Sequence, residues 1–182
     1  SYASFFIGIF LSIIHRNSRL AVVLTLQNDT EVRGIDISVS IQICGMLEQA
    51  HAKGAIYLDH KLLHYYWNEY RQKVIMLDWN IGHWLPETFS PEVQHSDLVQ
   101  FSSRALHHIF TGRQAPGSVA VGPNRPEDIA NSPTHYKASY SFDVQNRLNA
   151  DEMSFLESAL DGRFQTPTEM KDKLMFLYNK RQ

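Results

Sequence analysis

Cysteine is almost missing from this chain: Cys44 stands alone among 182 residues. No internal disulfide can form, which fits a reducing compartment and makes the cytoplasm the expected location. An excess of basic charge is missing too. Lys and Arg number 17 against 19 Asp and Glu, no window concentrates them, and the net charge is −2. Nucleic acid is therefore not an expected partner, because neutralising phosphates takes a basic stripe. The apolar run "FFIGIFLSII" (5–14) is too short to cross a bilayer, which takes about 20 residues. It lacks the basic start and small-residue cleavage site of a secretory leader, so a buried helix or strand is expected there. The chain opens on Ser1 rather than Met, as a processed form or an excerpt of a longer protein would. What is present, 43% hydrophobic and 20% charged residues, marks a soluble globular protein long enough for one domain with a real core.

Patterning then places the elements. "LAVVLTL" (20–26) is β-branched and apolar and reads as a buried strand. Asp36 is placed to cap a helix whose Ile37, Ile41, Cys44, Met46, Leu47 and Ala50 share a broad face. Lys53 and Gly54 close it, the glycine suiting the left-handed conformation past a helix end. "HYYW" and "KVIML" flank "NEYRQ" as two short strands around a loop. Ser96 and Asp97 are expected to open a further helix with Leu98, Phe101, Ala105 and Ile109 on one face and Gly112 at its end. Residues 114–135, rich in proline and glycine, read as an irregular excursion. Asn149 with Glu152 and Thr166 with Glu169 form two capping boxes, and Pro167 takes the favoured first helical position. The expected fold class is α+β and mostly helical, with a little sheet.

The chemistry concentrates in "YLDHKLLHYYWN" (57–68) and in "VIMLDWN" (74–80). Asp59, Lys61 and His64 interrupt an aromatic run that tolerates none of them unpaired, and Asp78 ends the next apolar run. The plainest reading pairs Asp59 with Lys61 at a loop edge and bonds His60 and His64 to carbonyls. Trp67, Trp79 and Trp84 then pack the core behind the loop, and His107 and His108 ride on a helix.

Order and residues together resemble the large, helical lobe of the protein-kinase fold. "MLEQAHAKGAIYLD" (46–59) is similar to the helix leading into a kinase catalytic loop, and Asp59, Lys61 and Asp78 follow with family-like spacing. "SDLVQFSSRALHHIFTGR" (96–113) resembles the buried helix after the activation segment, with Asp97 as its leading acid. "LESALDGRFQTPTEM" (156–170) resembles the end of the lobe, where Arg163 would hold Glu92 of "SPE". The resemblance implies a division into residues 1–34, a remnant of the small lobe and hinge, and 35–182, the helical C-terminal lobe with a short β-hairpin around its catalytic loop. It implies ATP with Mg²⁺ or Mn²⁺ as cofactors. Asp59 would orient a hydroxyl and accept its proton, and Lys61 would offset phosphoryl charge. Asp78 would hold the cation, with His64 as a second ligand; Asp97, Glu92 and Arg163 would be structural.

The departures shape the functional expectation. Tyr57-Leu58 replaces the family's His-Arg, His64 its metal-binding asparagine and Asn80 the glycine of "DFG". No glycine-rich strand or lysine strand precedes them. The chain is thus expected to be a pseudokinase-like regulatory module that binds a protein partner and retains a nucleotide. One alternative is a diverged ATP-dependent Ser/Thr phosphotransferase whose small lobe lies outside this chain. Another is a small helical metalloprotein using Asp59, His60, His64 and Asp78. Imidazole favours Mn²⁺ or Zn²⁺ over Mg²⁺.

Overall fold

The computed structural model describes residues 33–68, 70–79, 82–84, 90–118 and 134–181. The strand expected at 20–26, the apolar run at 5–14 and nearly all of the 1–34 segment lie outside these. Helix α1 (Arg33–Ala52) leads through β1 (Ala55–Ile56) and a 3₁₀ turn (Leu62–His64) to β2 (Tyr65–Asn68) and β3 (Lys73–Met76). Next come β4 (His83–Trp84), α2 (Pro91–Phe101), a π-helical turn (Ser102–Leu106) and α3 (His107–Thr111). Helices α4 (Phe142–Arg147), α5 (Ala150–Leu160) and α6 (Pro167–Arg181) complete the order. The fold is α+β and mostly helical.

Helix α1 lies along α6 and beneath β3. Ile37, Val39, Ile43, Cys44 and Leu47 of α1 are fully buried, each large aliphatic side chain contributing about 1.5–3 kcal/mol by leaving water. The helix already includes Asp36 in its first turn rather than starting from it. Its end is as expected: Gly54 has φ 72°, the left-handed conformation that costs glycine nothing.

Two antiparallel pairs make up the sheet content of the described residues, β1 with β4 and β2 with β3. In the β2–β3 hairpin Tyr65 faces Met76 and Trp67 faces Val74. These four are buried while Tyr66 and Ile75 are half-buried, the period-2 alternation of a strand with one face on a core. Helix α1 fixes the register: Gln42 Oε1 accepts from Val74 N at 3.0 Å, and its amide donates to Gln72 O at 3.1 Å.

Helix α2 starts earlier than Ser96. Ser90 takes the N-cap position without a side-chain cap bond, Pro91 fills the first position and Glu92 sits in the first turn, where a fixed φ and an acid both favour helix entry. Asp97 therefore lies inside a helix, fully buried. Leu98, Phe101, Ala105 and Ile109 form the expected apolar face. Yet Gln100, Ser102, Ser103, Arg104 and His107 are buried as well, so the segment is hidden on every side. Gly112 closes it at φ 80°.

The Asn149–Glu152 capping box forms in full. The Thr166–Glu169 box forms by half. Thr166 Oγ1 accepts from Glu169 N at 3.2 Å, but the Glu169 carboxylate takes the Gln165 N–H at 2.8 Å. Helix α4, capped by Ser141 on Val144 N, is an element the periodicity did not announce. Among the described residues no helix is long and apolar enough to cross a membrane.

The expected Arg163–Glu92 pair does not form. Arg163, 69% exposed, pairs with Asp161 two residues away at 2.9 Å. Glu92 accepts instead from its own backbone N–H and from Ser90, which hold its carboxyl below the usual range. The turn at Gly162 is tied to α2 differently, by His95 Nε2 donating to Gly162 O at 2.8 Å. A carboxylate near a helix N-terminus already has donors, and an exposed arginine takes the nearest acid.

Candidate functional site

The loop between β1 and the 3₁₀ turn is held from behind by one carboxylate. Asp97 Oδ1 accepts from Leu58 N at 2.7 Å and from His60 Nε2 at 2.8 Å. Its Oδ2 accepts from Tyr57 N at 3.1 Å and from His51 Nε2 at 2.8 Å. Burial would raise the Asp97 carboxyl; electrostatic attraction to His60 and the hydrogen bonds of His51 and His60 outweigh it and hold the group well below the usual carboxylate range. The other ring nitrogen of His60, Nδ1, shares a hydrogen bond with the Tyr65 hydroxyl.

This grip holds Leu58 at φ 64°, a left-handed backbone that a leucine adopts only under constraint. The result is a sharp reversal: His60 turns to Asp97, while Lys61 and His64 gather at Asp59 Oδ2. Both ring nitrogens of His60 are thus taken, by Asp97 and Tyr65, and among the described residues it does not join the Asp59, His64 and Asp78 group.

Asp59 is buried at 5% exposure. Lys61 Nζ donates to its Oδ2 at 2.8 Å, and His64 Nδ1 lies 3.5 Å from the same oxygen. The plain pairing of Asp59 with Lys61 is thus present. His64 also donates from Nδ1 to Asp59 O at 3.0 Å, the carbonyl bond expected of a loop histidine. That bond leaves Nε2 facing Asp78 Oδ2, 3.5 Å away. The two attract when Nε2 carries a proton or when a cation lies between them.

Asp78 comes from the segment after β3, also with positive φ, 56°. Two bonds sew that segment to the loop. Leu77 N donates to His64 O at 2.8 Å, and the Tyr57 hydroxyl donates to Leu77 O. Tyr57 also meets Trp79 edge-on at 4.8 Å between ring centres. Trp67 packs the core as expected; Trp79, 40% exposed, covers Tyr57 from outside instead. Burial, reinforced by Asp59, Asp78 and Asp97, pushes the Tyr57 phenol far up, so it stays a neutral donor.

Asp59, His64 and Asp78 each offer a ligand atom, and these lie within 4.8 Å of one another. Around an ion with bonds of about 2.1 Å only one pair of the three can stand opposite, roughly 4.2 Å apart, and neighbouring ligands stand roughly 3.0 Å apart, so the set must draw in to close on a cation. Two carboxylates and one imidazole fit a divalent ion of intermediate softness.

Arg104 is the member that sequence reasoning missed. It rises from the π turn with 2% exposure and brings Nη1 to 3.7 Å from Asp59 Oδ1. Burial pulls its guanidinium below the usual value while Asp59 opposes the change. Its Nε and Nη1, and Asp59 Oδ1, have no hydrogen-bond partner. Of the two helix histidines, His107 is fully buried and pairs with Arg113 O and Thr111, and burial lowers both it and His108.

No family model matches this chain, and no curated protein matches it.

Proposed function

We propose that the chain is a degenerate protein-kinase-like C-terminal lobe, a pseudokinase-type regulatory module that holds a divalent cation and the phosphates of a nucleotide and acts through a protein partner. One observation carries this reading: Asp59 and Asp78, 19 positions apart in the chain, bring ligand atoms within 4.8 Å of each other and of His64, with the Lys61 ammonium alongside. Two strained non-glycine residues, Leu58 and Asp78, support it, because such strain persists where surrounding structure holds a site in place.

The roles follow from the positions. Asp78 and His64 Nε2 bind the cation, and Asp59 Oδ2 completes the set. Lys61, 37% exposed, leaves Asp59 and meets phosphate when the cation takes its place. A carboxylate that ligates a cation is a poor base for a substrate hydroxyl, and this favours binding over transfer. The diverged phosphotransferase stays the second reading, since Lys61 and Asp59 keep the order that positioning a phosphoryl group requires.

Thermal melting with ATP and either Mg²⁺ or Mn²⁺ tests the proposal. A larger shift is expected with Mn²⁺, and Asp78→Asn should abolish it. His64→Asn should move the preference toward Mg²⁺. No shift with either ion at millimolar ligand would refute the nucleotide reading and leave the scaffold alone.

A further inference from the structure

We infer that Arg104, entering from the helix behind the loop, is the positioning residue that holds Asp59 with Oδ1 inward and Oδ2 toward the cation.

The geometry carries this in three steps. First, Asp59 has two oxygens in different surroundings. Oδ2 is served by Lys61 at 2.8 Å and His64 at 3.5 Å. Oδ1 has no hydrogen-bond donor, and the cation nearest to it is Arg104 at 3.7 Å. Without that guanidinium, nothing among the described contacts would keep Oδ1 turned into the protein, and a bare carboxylate would rotate toward water.

Second, Arg104 is committed to this place. An arginine stays charged, and burying one without a counter-charge is strongly unfavourable. No other acid pairs with it among the described ion pairs. Its Nε and Nη1 make no other bond, so Asp59 is what its charge answers.

Third, the backbone aims it. Arg104 sits in the middle of the Ser102–Leu106 π turn. The extra residue of such a turn shifts the register of the helix, and these turns gather at functional positions. Here the shift brings a charged side chain toward the loop from a segment whose Phe101, Ala105 and Leu106 are otherwise core.

The inference rests on the cation reading above, and its test separates the two. Mn²⁺ binding is followed by electron paramagnetic resonance of the free ion in wild-type protein and in Arg104→Lys, Arg104→Met and Asp78→Asn. Loss of an outer partner of a metal ligand typically weakens affinity roughly 10–100-fold. Arg104→Met should therefore bind Mn²⁺ at least tenfold more weakly, and Arg104→Lys should recover most of that loss. A guanidinium that contributed charge alone would act oppositely, since its removal would leave a more negative site. Binding by Arg104→Met as tight as wild type, or tighter, would overturn the inference. Failure of the wild-type protein to bind would refute the cation site itself.

A metal-free unfolding cycle joins Arg104→Met with Asp59→Asn. The double variant is expected to be more stable than the sum of the single losses allows, by at least tenfold in the unfolding constant. Additive losses would overturn the pairing. If Arg104→Met does not fold alone, folding of the double variant supports the pairing, and failure of both shows that volume rather than charge decides the site.

Discussion

Replacing Asp97 by asparagine tests the frame on which the whole site depends. The amide keeps the shape and one acceptor oxygen, but its NH₂ must face one of the two donor pairs. On the Oδ1 side those donors are Leu58 N and His60 Nε2; on the Oδ2 side they are Tyr57 N and His51 Nε2. His51 Nδ1 is buried without a partner. Its ring can therefore move the proton to Nδ1 and accept from the amide at little cost. The NH₂ should settle there and leave Tyr57 N unsatisfied. A buried donor without its acceptor costs about 1–3 kcal/mol, and the remaining bonds lose their charge assistance. The total expected loss is about 3–5 kcal/mol, in line with breaking a buried charged network, or roughly 10 °C in melting midpoint at this chain length.

The pH dependence gives the same variant a second signature. Native Asp97 is held well below the ordinary range, whereas the unfolded chain titrates near the free value of about 3.9. Its stabilisation is complete above about pH 4. It declines as the pH falls further, because only the unfolded chain then takes up the proton. Urea denaturation should therefore show the gap between wild type and Asp97→Asn narrowing as the pH drops from 7 toward 3. A loss below about 1 kcal/mol at pH 7, or a gap that does not change with pH, would refute the account of this carboxylate.

Other parts of the chain carry simpler expectations. Gly162→Ala should be destabilising by about 1–3 kcal/mol in the same urea assay. At φ 66° its new Cβ would lie 2.7 Å from Thr134 O and 3.2 Å from the His95 ring, the contact that ties this turn to α2. Arg163→Ala should move the melting midpoint by about 2 °C at most, because its pair with Asp161 is largely exposed. A large loss there would restore the buried role expected from the sequence. Cys44 is fully buried, and burial pushes its thiol far up. A disulfide reagent should modify it only at the rate of unfolding, and fast modification of the folded protein would show that α1 opens.

How much of this was legible depends on how far each signal reaches along the chain. Gly54, Gly112, the Asn149–Glu152 box, Pro167 and the two hairpin strands are local, and each acts through a conformation or hydrogen bond within a few residues. The structure has each of them where the sequence pattern puts it. Helix α4 was missed because six residues are too few to show a period, although Ser141 supplies its cap. The start of α2 was misplaced because two signals competed. Ser96-Asp97 has the side chains of a cap, but Ser90-Pro91-Glu92 has both the cap and the residue whose fixed φ begins a helix. Asp97 was then available for a different duty, with partners 37 to 46 positions away.

The same contrast explains the site. The kinase resemblance singled out Asp59, Lys61, His64 and Asp78, whose separation a loop and a hairpin set almost by themselves, and the metalloprotein alternative added His60. Local spacing could not say how His60 and His64, four residues apart, would face. The reversal at Leu58 decides which of them meets Asp97 and which meets Asp78, and that reversal is imposed from α2. Nor could spacing find Arg104, because a period-3.6 reading assigns the interior of a helix to one apolar stripe, and the π turn breaks that rule where it supplies a buried charge. The groups that touch the proposed ligand were thus marked by local pattern. Those that hold them in position became visible only through packing, and the test of Arg104 against Asp59 bears directly on that division.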